Sequence, residues 1–256
     1  MSIIALRAWC VNEYEPITEL EKRPPDIRLS KKSLLKSGLR ADFLEDTDEV
    51  KASTWFKRYL EGETIEFYIE GSGGYCVANI DLISHEIYLT KQTLLAQLEP
   101  TIFFSHQNEY RVASELIREQ LRQSLEIFNS KSRLPLTLVE SSRPHHAPLR
   151  LNRAIMRKIK RSLLFIADTT PISAIEGKEH NSLIPSPGVC VEIGYALETK
   201  KTEQILLTHQ QRPELEGEYP FDLPMQQILP FSNEDELNQT LTLTLERQLA
   251  RFKLFF

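Results

Sequence analysis

From about residue 100 the chain alternates short apolar runs with amphipathic stretches, and this alternation restricts the possible folds more than any other feature. Residues 101–105, 136–140, 163–167 and 204–208 are short and mostly apolar, as strands buried on both faces are. Residues 108–128, 151–162, 187–200 and 233–253 read as helices. The first has Ala113, Leu116, Ile117, Leu121, Leu125 and Phe128 on one side; the last has Leu237, Leu241, Leu245, Leu249 and Phe252. Residues 220–230 read as irregular, ending in a short apolar piece. Strand–helix alternation predicts an α/β fold, a parallel sheet flanked by helices. Ligands bind beyond the carboxyl ends of such strands. The polar residues there are Ser105 and His106, 141–143, and Asp168 and Thr169, with Glu192 on a following helix; all are predicted to share one rim.

Residues 1–95 follow a different pattern and are expected to form a small α+β domain. Residues 3–11 read as a strand, and 16–30, with Pro24-Pro25, as a loop. Residues 31–38 read as a short helix ended by glycine. Residues 48–60 read as one helix carrying Val50, Trp55, Phe56 and Tyr59. Residues 65–69 and 75–80 are strands joined by the turn Glu70-Gly71-Ser72-Gly73-Gly74, and 83–89 adds a third. The glycine run lacks the Lys-Ser/Thr of a P-loop, and no helix follows it, so a hairpin turn is the expectation.

The hydrophobic content of 41% suffices for a sizeable core, and a net charge of −5 gives no support to general nucleic-acid binding. Cys10, Cys76 and Cys190 are widely spaced and odd in number, which argues against a disulfide framework and predicts a reducing, cytoplasmic setting. No cysteine pair has zinc-ligand spacing, so no metal is expected. Arg7 and Trp9 interrupt the first apolar run, against a signal peptide, and no stretch is long enough to span a bilayer.

One segment stands out for chemistry: Ser186-Pro187-Gly188-Val189-Cys190-Val191-Glu192-Ile193-Gly194-Tyr195-Ala196-Leu197. Ser186 is a good N-cap and Pro187 suits the first helical position. Val189, Ile193, Ala196 and Leu197 form the expected buried stripe, and Glu192 lies off it. Gly194 and Ala196 keep the neighbouring surface low enough for a ligand to approach. Tyr195 falls one turn after Glu192 and either lines a pocket or packs beneath the long loop 173–185. Read without further context, a lone glutamate on an amphipathic helix is a solvated side chain, and Asp168-Thr169-Thr170-Pro171 is good turn chemistry. His145-His146 reads as a solvated loop rather than a metal site, because no third ligand is evident. Arg150, Arg153, Arg157, Lys158, Lys160 and Arg161 form either a solvated helix face or a contact for a partner.

Ala167-Asp168-Thr169-Thr170-Pro171 followed by Ser186–Ala196 resembles a pattern in bacterial TIR-like proteins, which are related in fold to nucleoside 2-deoxyribosyltransferases. The family form is a strand ending in Asp-Val-Thr, then Asn-Pro-Asn-Val, two residues, and Glu-Leu-Gly-Tyr-Ala. Pro220-Phe221-Asp222-Leu223 and Thr101-Ile102-Phe103-Phe104-Ser105 resemble further segments. The likeness covers residues 100–256. Here Ser186 and Gly188 replace the two asparagines, the 173–185 loop is long, and the loop Ser105-His106-Gln107-Asn108 has no glycine.

The resemblance implies a flavodoxin/TIR-like sheet and cleavage of an N-glycosidic bond, with Glu192 as the catalytic carboxylate. Asp168 would position it or a ribose hydroxyl; Ser105, His106, Thr169 and Tyr195 would border the substrate. NAD would be a substrate, not a resident cofactor. An NAD hydrolase serving antiphage defence is the implied activity, with self-association or a defence-system partner as activator and a regulatory, sensing or assembly role for residues 1–95. Two alternatives remain: a non-catalytic nucleotide-binding scaffold, and a transferase that moves deoxyribose between bases.

Overall fold

A computed structural model of the chain describes residues 5–35, 38–92, 94–141, 153–177, 180–222 and 224–255. Its contacts divide it into two compact units, Met1–Leu98 and Glu99–Phe256.

The first unit is a closed antiparallel barrel. Its strands are β1 (Ala5–Cys10), β2 (Ile27–Leu35), β3 (Gly38–Phe43), β4 (Glu66–Ile69), β5 (Gly73–Asp81) and β6 (Glu86–Lys91), accompanied by the short helices α1 (Ile17–Leu20), α2 (Thr47–Ala52) and α3 (Thr54–Leu60). The strand order is β1-β2-β3-β6-β5-β4, and β4 pairs back onto β1. Alternate residues fill the interior: Leu39, Ala41 and Phe43 of β3, Phe67 and Ile69 of β4, and Ile87 and Leu89 of β6 are all buried in one cluster. Trp55 of α3 meets Phe67 edge-on at 5.1 Å. Trp9 and Tyr68 point the other way, stack at 6.0 Å and build a second small core with Leu20, Leu94 and Ala96.

Three sequence expectations are corrected here. Residues 31–35 are strand rather than helix, because pairing with β3, Leu34 opposite Leu39, supplies a full ladder that so short a helix could not match; residues 36 and 37 lie outside the described residues. The single helix 48–60 is broken at Ser53, which is extended (φ −65°, ψ 147°) and accepts a hydrogen bond from the Phe56 amide, capping α3. The 16–30 loop contains α1 and the start of β2.

The turn after β4 is as expected, with Gly71 and Gly73 at positive φ. Gly74 matters for a different reason. A Cβ there would lie 2.4 Å from Leu94 Cγ and 2.5 Å from the Gln92 carbonyl oxygen, which is backbone and cannot swing away. Gly74→Ala is therefore expected to destabilise this unit by about 1–3 kcal/mol, read as a lower urea midpoint. An unchanged midpoint would show that Gln92 and Leu94 give way at little cost.

The second unit contains β7 (Thr101–Ser105), α4 (Arg111–Asn129), β8 (Thr137–Glu140), α5 (Arg153–Arg161), β9 (Leu164–Asp168), β10 (Ser173–Ile175), β11 (Ser182–Ile184), α6 (Pro187–Thr199), β12 (Ile205–Gln210), β13 (Ile228–Phe231) and α7 (Glu234–Ala250). Its main sheet is wholly parallel, ordered β13-β12-β9-β7-β8. Numbered in chain order within the sheet, the strands run 2-1-3-4-5. Phe103, Phe165, Ala167, Ile205 and Leu207 face Ile155 and Ile159 of α5 and Val189, Ile193 and Ala196 of α6. The alternate residues Ile102, Phe104, Leu164, Ile166 and Leu206 point to the opposite side. There α4 and α7 pack together, with Gln120 and Ser124 both hydrogen-bonded to Thr242. Asn233 caps α7 by accepting from the Glu236 amide, and the Glu236 carboxylate accepts from the Ser232 amide.

The long 173–185 loop is instead mostly a small antiparallel hairpin, β10–β11, with residues 178 and 179 outside the described residues. The apolar end of 220–230 becomes β13; Leu223 lies outside the described residues. On α5 the basic residues Arg153, Arg157, Lys158, Lys160 and Arg161 are exposed while Ile155 and Ile159 are buried, and Arg161 pairs with Glu99 at 3.2 Å. Arg150 and the His145-His146 pair lie outside the described residues. Among the described residues, no helix is long and apolar enough to cross a membrane.

Lys200, just past α6, donates from Nζ to the Ser162 carbonyl, and burial pushes its amine down to about 7. Between that value and 10.5 the unfolded chain holds more protons than the folded one, so this residue adds stability as pH rises across the window. Lys200→Met has no such proton. Wild type should gain about 1 kcal/mol or more on the variant between pH 7 and pH 9.5 in urea unfolding. A constant difference would mean that the amine is solvated.

Candidate functional site

The order in which strands are added reverses between β7 and β9, where strand 1 lies beside strand 3. A crevice opens beyond the carboxyl ends at such a point. The sequence-predicted residues Ser105, His106, Asp168 and Thr169 end these two strands. Ser105 and Asp168 are both fully buried.

Helix α6 delivers Glu192 to this place. Pro187 opens the helix and Ser186 precedes it with non-helical backbone angles (φ −54°, ψ 129°). The Ser186 hydroxyl caps no amide; it donates to Glu109 at 3.1 Å. Glu192 is fully buried, as are Val189, Ile193 and Ala196. This corrects the expected stripe in two ways. Glu192 belongs to the inward face, and Leu197 is 45% exposed. Ala196 faces the core rather than an approaching ligand, whereas the Cα of Gly194 borders open space. The Glu192 carboxylate accepts a hydrogen bond from Ser105 Oγ at 2.5 Å. The first strand of the sheet thus orients the helix carboxylate, a contact across 87 residues of chain.

Asp168 lies at the centre of a second buried group. Its Oδ2 accepts from Ser114 Oγ at 2.5 Å and its Oδ1 from the Thr170 amide at 3.0 Å. Ser114 in turn accepts from the Gln107 amide, and Gln107 Nε2 donates to the Thr170 carbonyl at 2.9 Å. These bonds tie the loop after β7 to the loop after β9 through the first turn of α4. Burial pushes the Asp168 carboxyl above the usual carboxylate range, although hydrogen bonds from Ser114, Thr170 and Gln107 pull it down.

Thr169 is turned toward β12. Its hydroxyl bonds to the Thr208 carbonyl and to the Tyr219 hydroxyl. The Tyr219 ring stacks on His209 at 4.5 Å. Burial raises the Tyr219 phenol and lowers the His209 imidazole, so both are neutral near pH 7.

His106 meets Ser141 and Glu140. Its Nδ1 is 3.3 Å from Ser141 Oγ and 3.7 Å from Glu140, which Arg118 clasps through both oxygens at 2.9 and 3.0 Å. Residues 142 and 143 lie outside the described residues. Tyr195 is half-buried and packs on the cluster of Phe103, Phe165 and Ile193. A polar cavity of about 250 Å³ opens at the head of α4, lined by His106, Gln107, Asn108, Arg111, Ser114 and Arg118 together with Glu115.

No protein-family model and no curated protein matches this chain.

The structure therefore joins Ser105 to Glu192, groups Asp168 with Gln107 and Ser114, and ties Thr169 to Tyr219. It keeps His106 in a network with Glu140 and Arg118. Gln107, Ser114 and Tyr219 were not anticipated. Gln107 was readable, as a polar residue two places past a rim strand. Ser114 and Tyr219 carried no signal, since their roles depend on partners 54 and 50 residues away. Among the described residues, no group of three or more His, Cys, Asp or Glu side chains is placed to hold a metal ion.

Proposed function

We propose that the second unit is a TIR-like N-glycosidase, related in fold to nucleoside 2-deoxyribosyltransferases, that cleaves the nicotinamide–ribose bond of NAD. The observation that carries this reading is the Ser105–Glu192 pair at the point where the strand order reverses. The 2-1-3-4-5 strand order supports it, because that order is flavodoxin-like and binds its ligand there.

The chemistry suits a single carboxylate. Breaking the bond sends its electron pair to the pyridinium nitrogen, which leaves as neutral nicotinamide. Positive charge develops on the ribose, and Glu192 stabilises it from below or attacks the anomeric carbon. Water then adds, giving ADP-ribose and one proton. Because the departing ring starts as a cation, no strong general acid is needed. Ser105 acts by holding Glu192 in one orientation. Asp168 acts by fixing the two loops around the pair. A role in antiphage defence and a regulatory or assembly role for the barrel follow from the same family reading.

The full burial of Glu192 favours a second reading, a nucleotide-binding scaffold without catalysis. A catalytic carboxylate must meet a sugar, which requires the rim above it to open. Incubation of the full chain with NAD and, separately, with mixed deoxynucleosides distinguishes the cases by chromatography. Nicotinamide release supports the hydrolase, base exchange the transferase, and saturable NAD binding without turnover the scaffold.

A further inference from the structure

A groove of about 640 Å³ runs between α7 and the β13 edge of the sheet, and it shares no lining residue with the surroundings of Glu192. One wall is α7. Thr240, Thr244, Arg247 and Arg251 follow one another there at helical spacing, so they form a single line down the helix. That line is about 16 Å long, close to the length of an extended chain of about twelve carbons. The opposite wall is apolar. It is made by Met225, in the short turn before β13, and by Ile228 and Leu229 of β13 itself. Met225 is 91% exposed, so its apolar surface is free to be covered.

The polar groups are distributed unevenly along the groove. The Thr240 hydroxyl donates to the Glu236 carbonyl at 2.7 Å and the Thr244 hydroxyl to the Thr240 carbonyl at 2.9 Å, so neither depends on a ligand for a partner. Charge collects at the far end of α7. Arg251 pairs there with Glu203 at 3.3 Å, which leaves that acid matched. Arg247 is exposed, and among the described residues no acid pairs with it. A neutral oil would leave this cation unmatched, and an inorganic anion would leave the apolar wall wet. An elongated molecule with an aliphatic body and one anionic head answers both. The volume lies within the range of pockets that enclose a small molecule.

We propose that this groove binds an aliphatic carboxylate of about twelve carbons, its chain along Met225, Ile228 and Leu229 and its carboxylate on Arg247. The planar guanidinium can hold both carboxylate oxygens. The site goes beyond the glycosidase reading and does not rest on it, since α7 packs on the opposite side of the sheet from α6.

Titration calorimetry of the full chain with dodecanoate, octanoate and dodecyltrimethylammonium, each below its micelle concentration, tests the site. Dodecanoate should bind at least about thirtyfold more tightly than octanoate, because each buried methylene is worth about a fourfold gain. Dodecyltrimethylammonium carries the same tail under the opposite charge and should bind at least about tenfold more weakly than dodecanoate. A chain of net charge −5 favours the cation in any nonspecific binding, so the order of these two reports on the groove. Arg247→Gln should remove most of the preference between the heads. Met225→Ser should weaken dodecanoate about fivefold and leave that preference in place. Both positions are exposed and lie outside the cores. Equal affinity for the two heads on the wild type, a preference that survives Arg247→Gln intact, or a dodecanoate affinity untouched by Met225→Ser would each overturn the site. So would a wild type that sediments as a dimer and becomes a monomer in Met225→Ser, because a second copy would then cover the groove.

Discussion

Glu192→Gln should lower nicotinamide release from NAD at least about a hundredfold while leaving the protein folded. Glutamine keeps the size of the side chain and retains a carbonyl oxygen for the Ser105 hydroxyl to donate to. What disappears is the negative charge facing the developing cation on the ribose. In a buried setting that charge is worth far more than it would be in water. Ser105→Ala should act in the same direction but more weakly, about tenfold, because it frees the orientation of the carboxylate without removing it. Equal release by Glu192→Gln and wild type would remove this residue from the reaction and leave the scaffold reading in its place.

The second large effect is expected at Asp168. Asp168→Ala strands the Ser114 hydroxyl and the Thr170 amide in a fully buried place. Each lost partner costs about 1–3 kcal/mol, so the variant should unfold about 2–4 kcal/mol more easily in urea at neutral pH. The loops after β7 and β9 are both anchored there, so substrate turnover should fall with it. Asp168→Asn offers a pH test. The folded state holds the Asp168 proton more tightly than the unfolded chain does, so its contribution is fully present below the ordinary value of 3.8 and is lost as pH rises through the folded one. Asparagine has no such proton. Wild type should therefore lose ground to Asp168→Asn as pH climbs above 4. A difference independent of pH would show that the carboxyl is stabilised as fully as it is desolvated.

Much of the second unit was legible because its period is strong. The run 163–167 is apolar at every position and became the central strand β9, buried throughout. The α4 stripe is visible in Ala113, Ile117, Leu121, Leu125 and Phe128, all buried. The barrel was harder to read. Residues 31–35 have no local pattern that separates helix from strand, and their pairing with β3 decided the outcome. Ser53 hid a helix break, because a good cap inside an amphipathic window looks like one more helical position. At the rim, the strand ends named Ser105, Asp168 and Thr169 without any long-range knowledge. The burial of Glu192 was not visible, since glutamate ordinarily marks the wet side of a helix, whereas here its carboxylate meets the Ser105 hydroxyl from a strand 87 residues away.

The strand pairings also bear on how copies of this chain can meet. The barrel closes on itself, β4 against β1, and so presents no open strand. The parallel sheet ends on one side in β8 and on the other in β13, each only four residues long. The latter carries Pro230, which has no amide hydrogen to offer a newcomer. Sideways addition of a strand is thus closed off at the barrel and hindered beside β13. An assembly through the barrel must therefore be written in side chains, and so can be dissolved by single surface substitutions without touching its core.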